Sequence, residues 1–245
     1  MPQWAPFTAV SGVLTVLLLL LARQSQQLLG DAGGNEPVDP GVGVELTPRM
    51  LLANVAVTQG GVIVLVLAAA WYFAIPADAL GVGPASTGVP ALGLGVAFGV
   101  VLWIGNELST WLADAAGAAY DESLRELLAP ASAGGWLILF GAVLPTIAVA
   151  EEVLFRAALI GVPAAGFGVS PWLLAAVSSV AFALGHGAQG RVGIVVTGLL
   201  GFVLAAGYIR SGSLLVVIVA HYLVNATEFF AHEYLGVGSA LAGRG

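Results

Sequence analysis

The 245-residue sequence contains no cysteine, and all seven of its basic residues are arginine, so lysine is absent as well. Without cysteine there can be no disulfide, no thiolate nucleophile and no cysteine-ligated metal. Charge is scarce: 9% of residues are charged, against about a quarter in a typical soluble domain. No basic patch exists, which argues against a nucleic-acid partner. Arginine without lysine, with a net charge of −7, hints at a high-GC or salt-adapted source, although ordinary drift in a small membrane protein explains it as well.

What fills the chain is apolar. Hydrophobic residues make up 59%, mean hydropathy is +0.98, and several runs reach the roughly 20 residues needed to cross a bilayer. The 34 glycines suit close helix–helix approach in a membrane. The fold class expected is therefore an all-α, polytopic transmembrane bundle of seven or eight spans. Met1–Ala22 has no positive n-region or clear cleavage site and reads as a first span over 5–22. Residues 24–49 form a loop rich in Gly, Pro and acids. Further spans fall at 50–73 and 91–111, separated by a short Gly/Pro loop over 74–90. Residues 114–128 mix Asp121, Glu122, Arg125 and Glu126 with Leu124, Leu127 and Leu128, the pattern of an amphipathic interfacial helix. Gly141 and Pro145 interrupt the apolar run 136–165. Proline favours the first turn of a helix, so the fourth span is expected to start near Pro145, with 136–144 as an approach segment or half-helix. Spans at 171–187, 192–209 and 213–230 complete seven.

This reading divides the chain into N-terminal helices (1–130), a core (131–230) and a polar tail (231–245). With seven spans, Arg23, Arg49, Arg125, Arg191 and Arg244 fall on one side and Arg210 on the other. The positive-inside rule then predicts the N-terminus outside and the C-terminus in the cytoplasm, in the plasma membrane of a prokaryote.

Against this background, Ala150-Glu151-Glu152-Val153-Leu154-Phe155-Arg156 stands out. A charge at bilayer depth costs from a few to more than ten kcal/mol by different estimates, so an intramembrane carboxylate is a functional candidate by default. Residues four apart share a helix face. Glu152 should therefore pair with Arg156, leaving Glu151 on a different face; alternatively all three form one structural charge cluster. Downstream, Phe182 lies one turn before His186, where its ring can orient the imidazole, and His221 shares a face with Asn225. At 1.5 Å per residue, a Pro145 start puts Glu151 about 9 Å from the cytoplasmic surface. A start at Trp136 would carry it too deep to meet His186. Glu228 also lies on the His221/Asn225 face, as a polar contact or simply as a residue reaching the interface.

Glu-Glu-x-x-x-Arg, Phe-x-x-x-His and His-x-x-x-Asn, in this order and each in an apolar helix, resemble the CPBP (CAAX-processing and bacteriocin-immunity protease, or ABI) family, which includes the type II CAAX prenyl endopeptidases. The resemblance covers about residues 136–230. It implies an intramembrane endopeptidase in which Glu151 and His186 activate a water, His221 and Asn225 form an oxyanion hole, and Glu152, Arg156 and Phe182 support them. A buried glutamate is a usable general base near neutral pH, and donors aimed at an oxyanion act strongly in a low-dielectric site. The implied partners are membrane lipid and a protein or peptide substrate, including C-terminally prenylated ones.

Other intramembrane protease signatures fit poorly. No His-Glu-x-x-His or Gly-x-Ser-x-Gly occurs, and Tyr120-Asp121 has no accompanying Gly-x-Gly-Asp. No cofactor is required by this reading. The alternative is zinc on Glu151, His186 and His221 with an open fourth position. Two non-proteolytic readings also stand: a catalytically idle immunity or scaffold protein, and a proton-coupled transporter using the buried Glu and His.

Overall fold

A computed structural model describes residues 1–32, 48–115, 117 and 123–236, and every secondary-structure element among them is helical. Besides three short 3-10 turns, eight helices are defined among the described residues: α1 (Trp4–Ala32), α2 (Pro48–Tyr72), α3 (Val89–Ala115), α4 (Ser123–Leu128), α5 (Ala133–Phe167), α6 (Pro171–Gly185), α7 (Gly190–Ser211) and α8 (Leu214–Tyr234). The chain is a helical membrane bundle. Apolar side chains such as Val57, Trp71 and Leu137 face outward, as expected where the surroundings are lipid rather than water. Most of the expected 24–49 loop (33–47), the middle of the expected amphipathic helix (116 and 118–122) and most of the tail (237–245) lie outside the described residues. Of that amphipathic segment, 114 and 115 end α3, and the six residues Ser123–Leu128 form α4.

Three sequence expectations are corrected. The first helix does not end at Ala22 but runs on to Ala32. The fourth span does not begin at Pro145. Helix α5 is continuous for 35 residues from Ala133, with wider π-helical turns over Leu139–Val143 and Val153–Gly161. The π turns just before Pro145 leave room for the ring and for its missing N–H, so the chain tightens back into α-helix without breaking. At about 52 Å by the α-helical rise, α5 exceeds the roughly 30 Å hydrocarbon core, so its starting residue does not set the depth of Glu151. Third, among the described residues six helices rather than seven are long and apolar enough to span, because α6 has 15 residues. That is about 22 Å, short of a bilayer.

Helix α6 nevertheless reverses the chain. One end of the bundle gathers the N-terminus (Gln3 N–H to Phe73 O, 2.9 Å), the 74–88 loop and the 212–213 turn (Leu214 N–H to Gly81 O, 2.9 Å). Gly161 reaches this layer too: a side chain there would collide with Ala79 O and the Tyr208 hydroxyl. The opposite end holds the 186–190 turn, α4 and the end of α8, where Arg125 Nε and Glu233 Oε1 are 2.8 Å apart. Helix α5 runs through the middle, with Ala150, Ala157 and Ala158 fully buried. Helices α5 and α8 run side by side away from the Gly161/Leu214 layer, and along this contact Glu151 and His221 come together.

Candidate active site

Glu152 and Arg156 lie inside the bundle, 0% and 1% exposed. Arg156 Nη1 donates to Glu152 Oε1 at 2.9 Å, as their spacing predicts, and Nη2 donates to the carbonyl of Gly201 in α7 at 3.0 Å. Its guanidinium also sits over the Phe182 ring, 4.7 Å from the centroid. A third group joins them that sequence spacing did not indicate. His221 Nδ1 donates to the same Glu152 oxygen at 2.7 Å. The carboxylate therefore ties α5 to α8, while the arginine ties α5 to α7.

Glu151, one residue earlier, turns to another face and stands between two imidazoles. Its Oε1 is 4.0 Å from His186 Nε2 and its Oε2 is 3.7 Å from His221 Nε2. Both gaps exceed hydrogen-bond length, and Oε2 is buried with no protein partner. The His186 ring is held from behind: Nδ1 lies 2.8 Å from the Phe182 carbonyl. A carbonyl can only accept, so Nδ1 carries a proton, and in its neutral form His186 presents a bare Nε2 to Glu151. Phe182 itself packs on His186 at 4.5 Å between centroids, on His221 at 6.1 Å and edge-on to Phe155 at 5.1 Å. Its role extends beyond orienting His186, because it is the buried wedge under the whole group.

The site opens on two cavities. Glu151 and His186 line one of about 400 Å³, bounded by α1 and α2 as well as by α5 and α6. His186, His221 and Asn225 line a second, of about 50 Å³, reaching Glu228 and Asn106. His186 and Phe182 form the wall common to both. The four candidate residues are thus brought to one region, with Glu151 on the larger side and Asn225 on the smaller. The Asn225 side chain hydrogen-bonds to no other described residue. Glu228 accepts from the Asn106 side chain, so it is a packed polar contact between α8 and α3. Nearby, His232 Nε2 is 3.1 Å from Glu107 Oε1. Glu107 Oε1 also accepts from Trp103 Nε1, one turn earlier, at 3.1 Å, while Glu228 and His232, the partners of Asn106 and Glu107 on α8, lie more than a hundred residues along the chain, where local spacing gives no signal.

Among the described residues, no three His, Asp or Glu side chains converge as the ligands of a metal would. The two histidines address different oxygens of Glu151, and Glu152 is occupied by Arg156 and His221.

Residues 133–227 match the family described as type II CAAX prenyl endopeptidase Rce1-like. The match begins at the first residue of α5 and ends in α8, so it contains all three motifs. Comparison with curated proteins and with solved structures finds no match. Over residues 133–227 this chain is similar to the Rce1-like family, a match consistent with a CPBP family protease.

Proposed function

We propose that the protein is an intramembrane endopeptidase in which residues 131–230 form the catalytic core and residues 1–130 wall its substrate cavity. The observation that carries this reading is the Glu151 carboxylate facing the Nε2 atoms of both His186 and His221 at 3.7–4.0 Å. A carboxylate oxygen and a bare Nε2 are both acceptors, and a water donating one hydrogen to each satisfies both. That water is the nucleophile. As it attacks the peptide carbonyl carbon, its proton passes to Glu151, the C–O bond forms, and the carbonyl electrons move onto oxygen. The proton then goes to the amine as the C–N bond breaks.

The developing oxyanion is met by Asn225 and by His221. To donate from Nε2 while Nδ1 donates to Glu152, His221 must carry both protons. Two carboxylates faced by one guanidinium leave one negative charge, which an imidazolium balances. Such preorganised donors contribute most where water is excluded. This chemistry uses no metal.

The substrates proposed are membrane-associated proteins or peptides, with C-terminally prenylated CAAX-type proteins the first class to try. The test is cleavage of a prenylated CAAX peptide and of a peptide library by the purified protein, with and without chelator. Cleavage abolished by Glu151→Gln is expected. A wild-type protein that cleaves nothing, or a Glu151→Gln protein as active as wild type, would overturn the reading.

A further inference from the structure

Between Arg49 and Tyr72 at its ends, helix α2 is apolar except for three side chains, Asn54, Thr58 and Gln59. All three line the 400 Å³ cavity opposite Glu151 and His186. None hydrogen-bonds to any other described residue, although α2 packs along α5. An amide left without a partner in a membrane interior is costly, and one kept at a cavity wall is available to a ligand.

The spacing indicates what kind of ligand. Asn54, Thr58 and Val62 follow one another at four-residue steps along a single stripe, with Gln59 beside Thr58. Asn54 and Thr58 are therefore separated by about 6 Å along the helix. In an extended peptide, backbone groups pointing to one side recur every second residue, about 6.6–6.8 Å apart. Two neighbouring polar side chains on α2 thus match the repeat of an extended main chain. Such a chain has given up its internal hydrogen bonds and needs partners inside the membrane.

We infer that Asn54, Thr58 and Gln59 form a clamp for the substrate's extended backbone, holding it across the cavity so that the scissile carbonyl faces Glu151. This rests on the protease reading above and adds the substrate's conformation and the residues that impose it. They are positioning residues, and the recognition is of main chain, so it tolerates many side-chain sequences.

The experiment uses full-length protein in lipid nanodiscs and a fluorescent farnesylated peptide ending in a CAAX sequence. Binding is read by anisotropy in the Glu151→Gln background, and cleavage in the wild type. The variants are Asn54→Leu, Thr58→Val and Gln59→Leu, with Val57→Ala, on the lipid-facing side, as control. Each clamp variant should weaken peptide binding and raise KM by roughly 3- to 10-fold with kcat little changed, the size of one lost hydrogen bond. Melting temperature should hold, because the three side chains brace nothing. N-methylation of one backbone amide of the peptide should weaken binding to the Glu151→Gln protein but cost nothing further once its α2 partner is removed. Binding that depends on these residues without any cleavage would uphold the clamp and sink the protease assignment. Cleavage and binding unchanged in all three variants would overturn the clamp alone, and failure of the peptide to bind at all would overturn both.

Discussion

His221 Nδ1 and Glu152 Oε1 lie 2.7 Å apart across 69 residues of chain, and the same oxygen receives Arg156 Nη1 at 2.9 Å. One buried carboxylate oxygen therefore fixes both the neighbouring arginine and a histidine from another helix. It holds the His221 Nδ1 proton and turns Nε2 toward Glu151. Carboxylate-backed imidazoles recur at hydrolytic centres because the carboxylate both orients the ring and stabilises its charged form.

The two halves of the proposed site should fail differently. Glu151→Gln keeps the shape and removes the base, so turnover should drop near background. Asn225→Ala removes one oxyanion donor and should cost about 10²–10³ in rate while leaving KM close to wild type. Steady-state kinetics on one peptide distinguish them. Equal, complete loss in both would count against the separate roles.

Arg156→Ala should lose stability as well as activity. It leaves the Glu152 carboxylate, 0% exposed, with only His221 to face. Removing one member of a buried pair costs about 3–5 kcal/mol. A thermal melt in detergent should show a clear drop; an unchanged melt would assign the arginine to chemistry alone.

Gly201 lies where α7 crosses Phe182. A Cβ at this position would sit 2.9 Å from Phe182 Cδ1 and 3.6 Å from Arg156 Nη2. The ring is fully packed and cannot swing away, so Gly201→Ala should push it toward His186. Activity should fall by at least tenfold with modest loss of stability, and Gly105→Ala, which has open space around it, should be silent. Full activity in Gly201→Ala would show that the Phe182 wedge has slack.

Chelation tests the metal-free mechanism. Activity should survive chelator, and His221→Ala should retain a residual rate like that of Asn225→Ala. Inactivation reversed by zinc would replace the proposed water activation with metal chemistry.

Orientation is read by cysteine labelling, which has no background because the chain has no cysteine. Ala85, exposed in the 74–88 loop, and Gln24, exposed near the other end of the bundle, should label from opposite sides. The arginine distribution predicts Ala85→Cys outside and Gln24→Cys inside. The reverse pattern would invert the protein in the membrane.

Composition by itself determined that the chain lives in a bilayer, because burying backbone in lipid leaves only helices for a sequence this apolar. Local spacing determined the Glu152–Arg156 pair and the stacking of Phe182 on His186, since both lie within one helical turn. The three ordered motifs pointed to the family whose model the chain matches over 133–227. Spacing could not reveal that α5 passes through Pro145 unbroken, because π-helical turns absorb a proline without any distinct sequence mark. Nor could it show α6 ending at Gly185, just before the tighter 3-10 turn Gly187–Gln189. The contacts that define the site are longer in range. His221 meets Glu152, Arg156 reaches the Gly201 carbonyl, and Asn54 and Thr58 of α2 come to face Glu151 only once α2, α7 and α8 have packed around α5. Helical periodicity says which residues share a face of one helix; which faces meet is decided by the packing of all of them, and that information is tertiary.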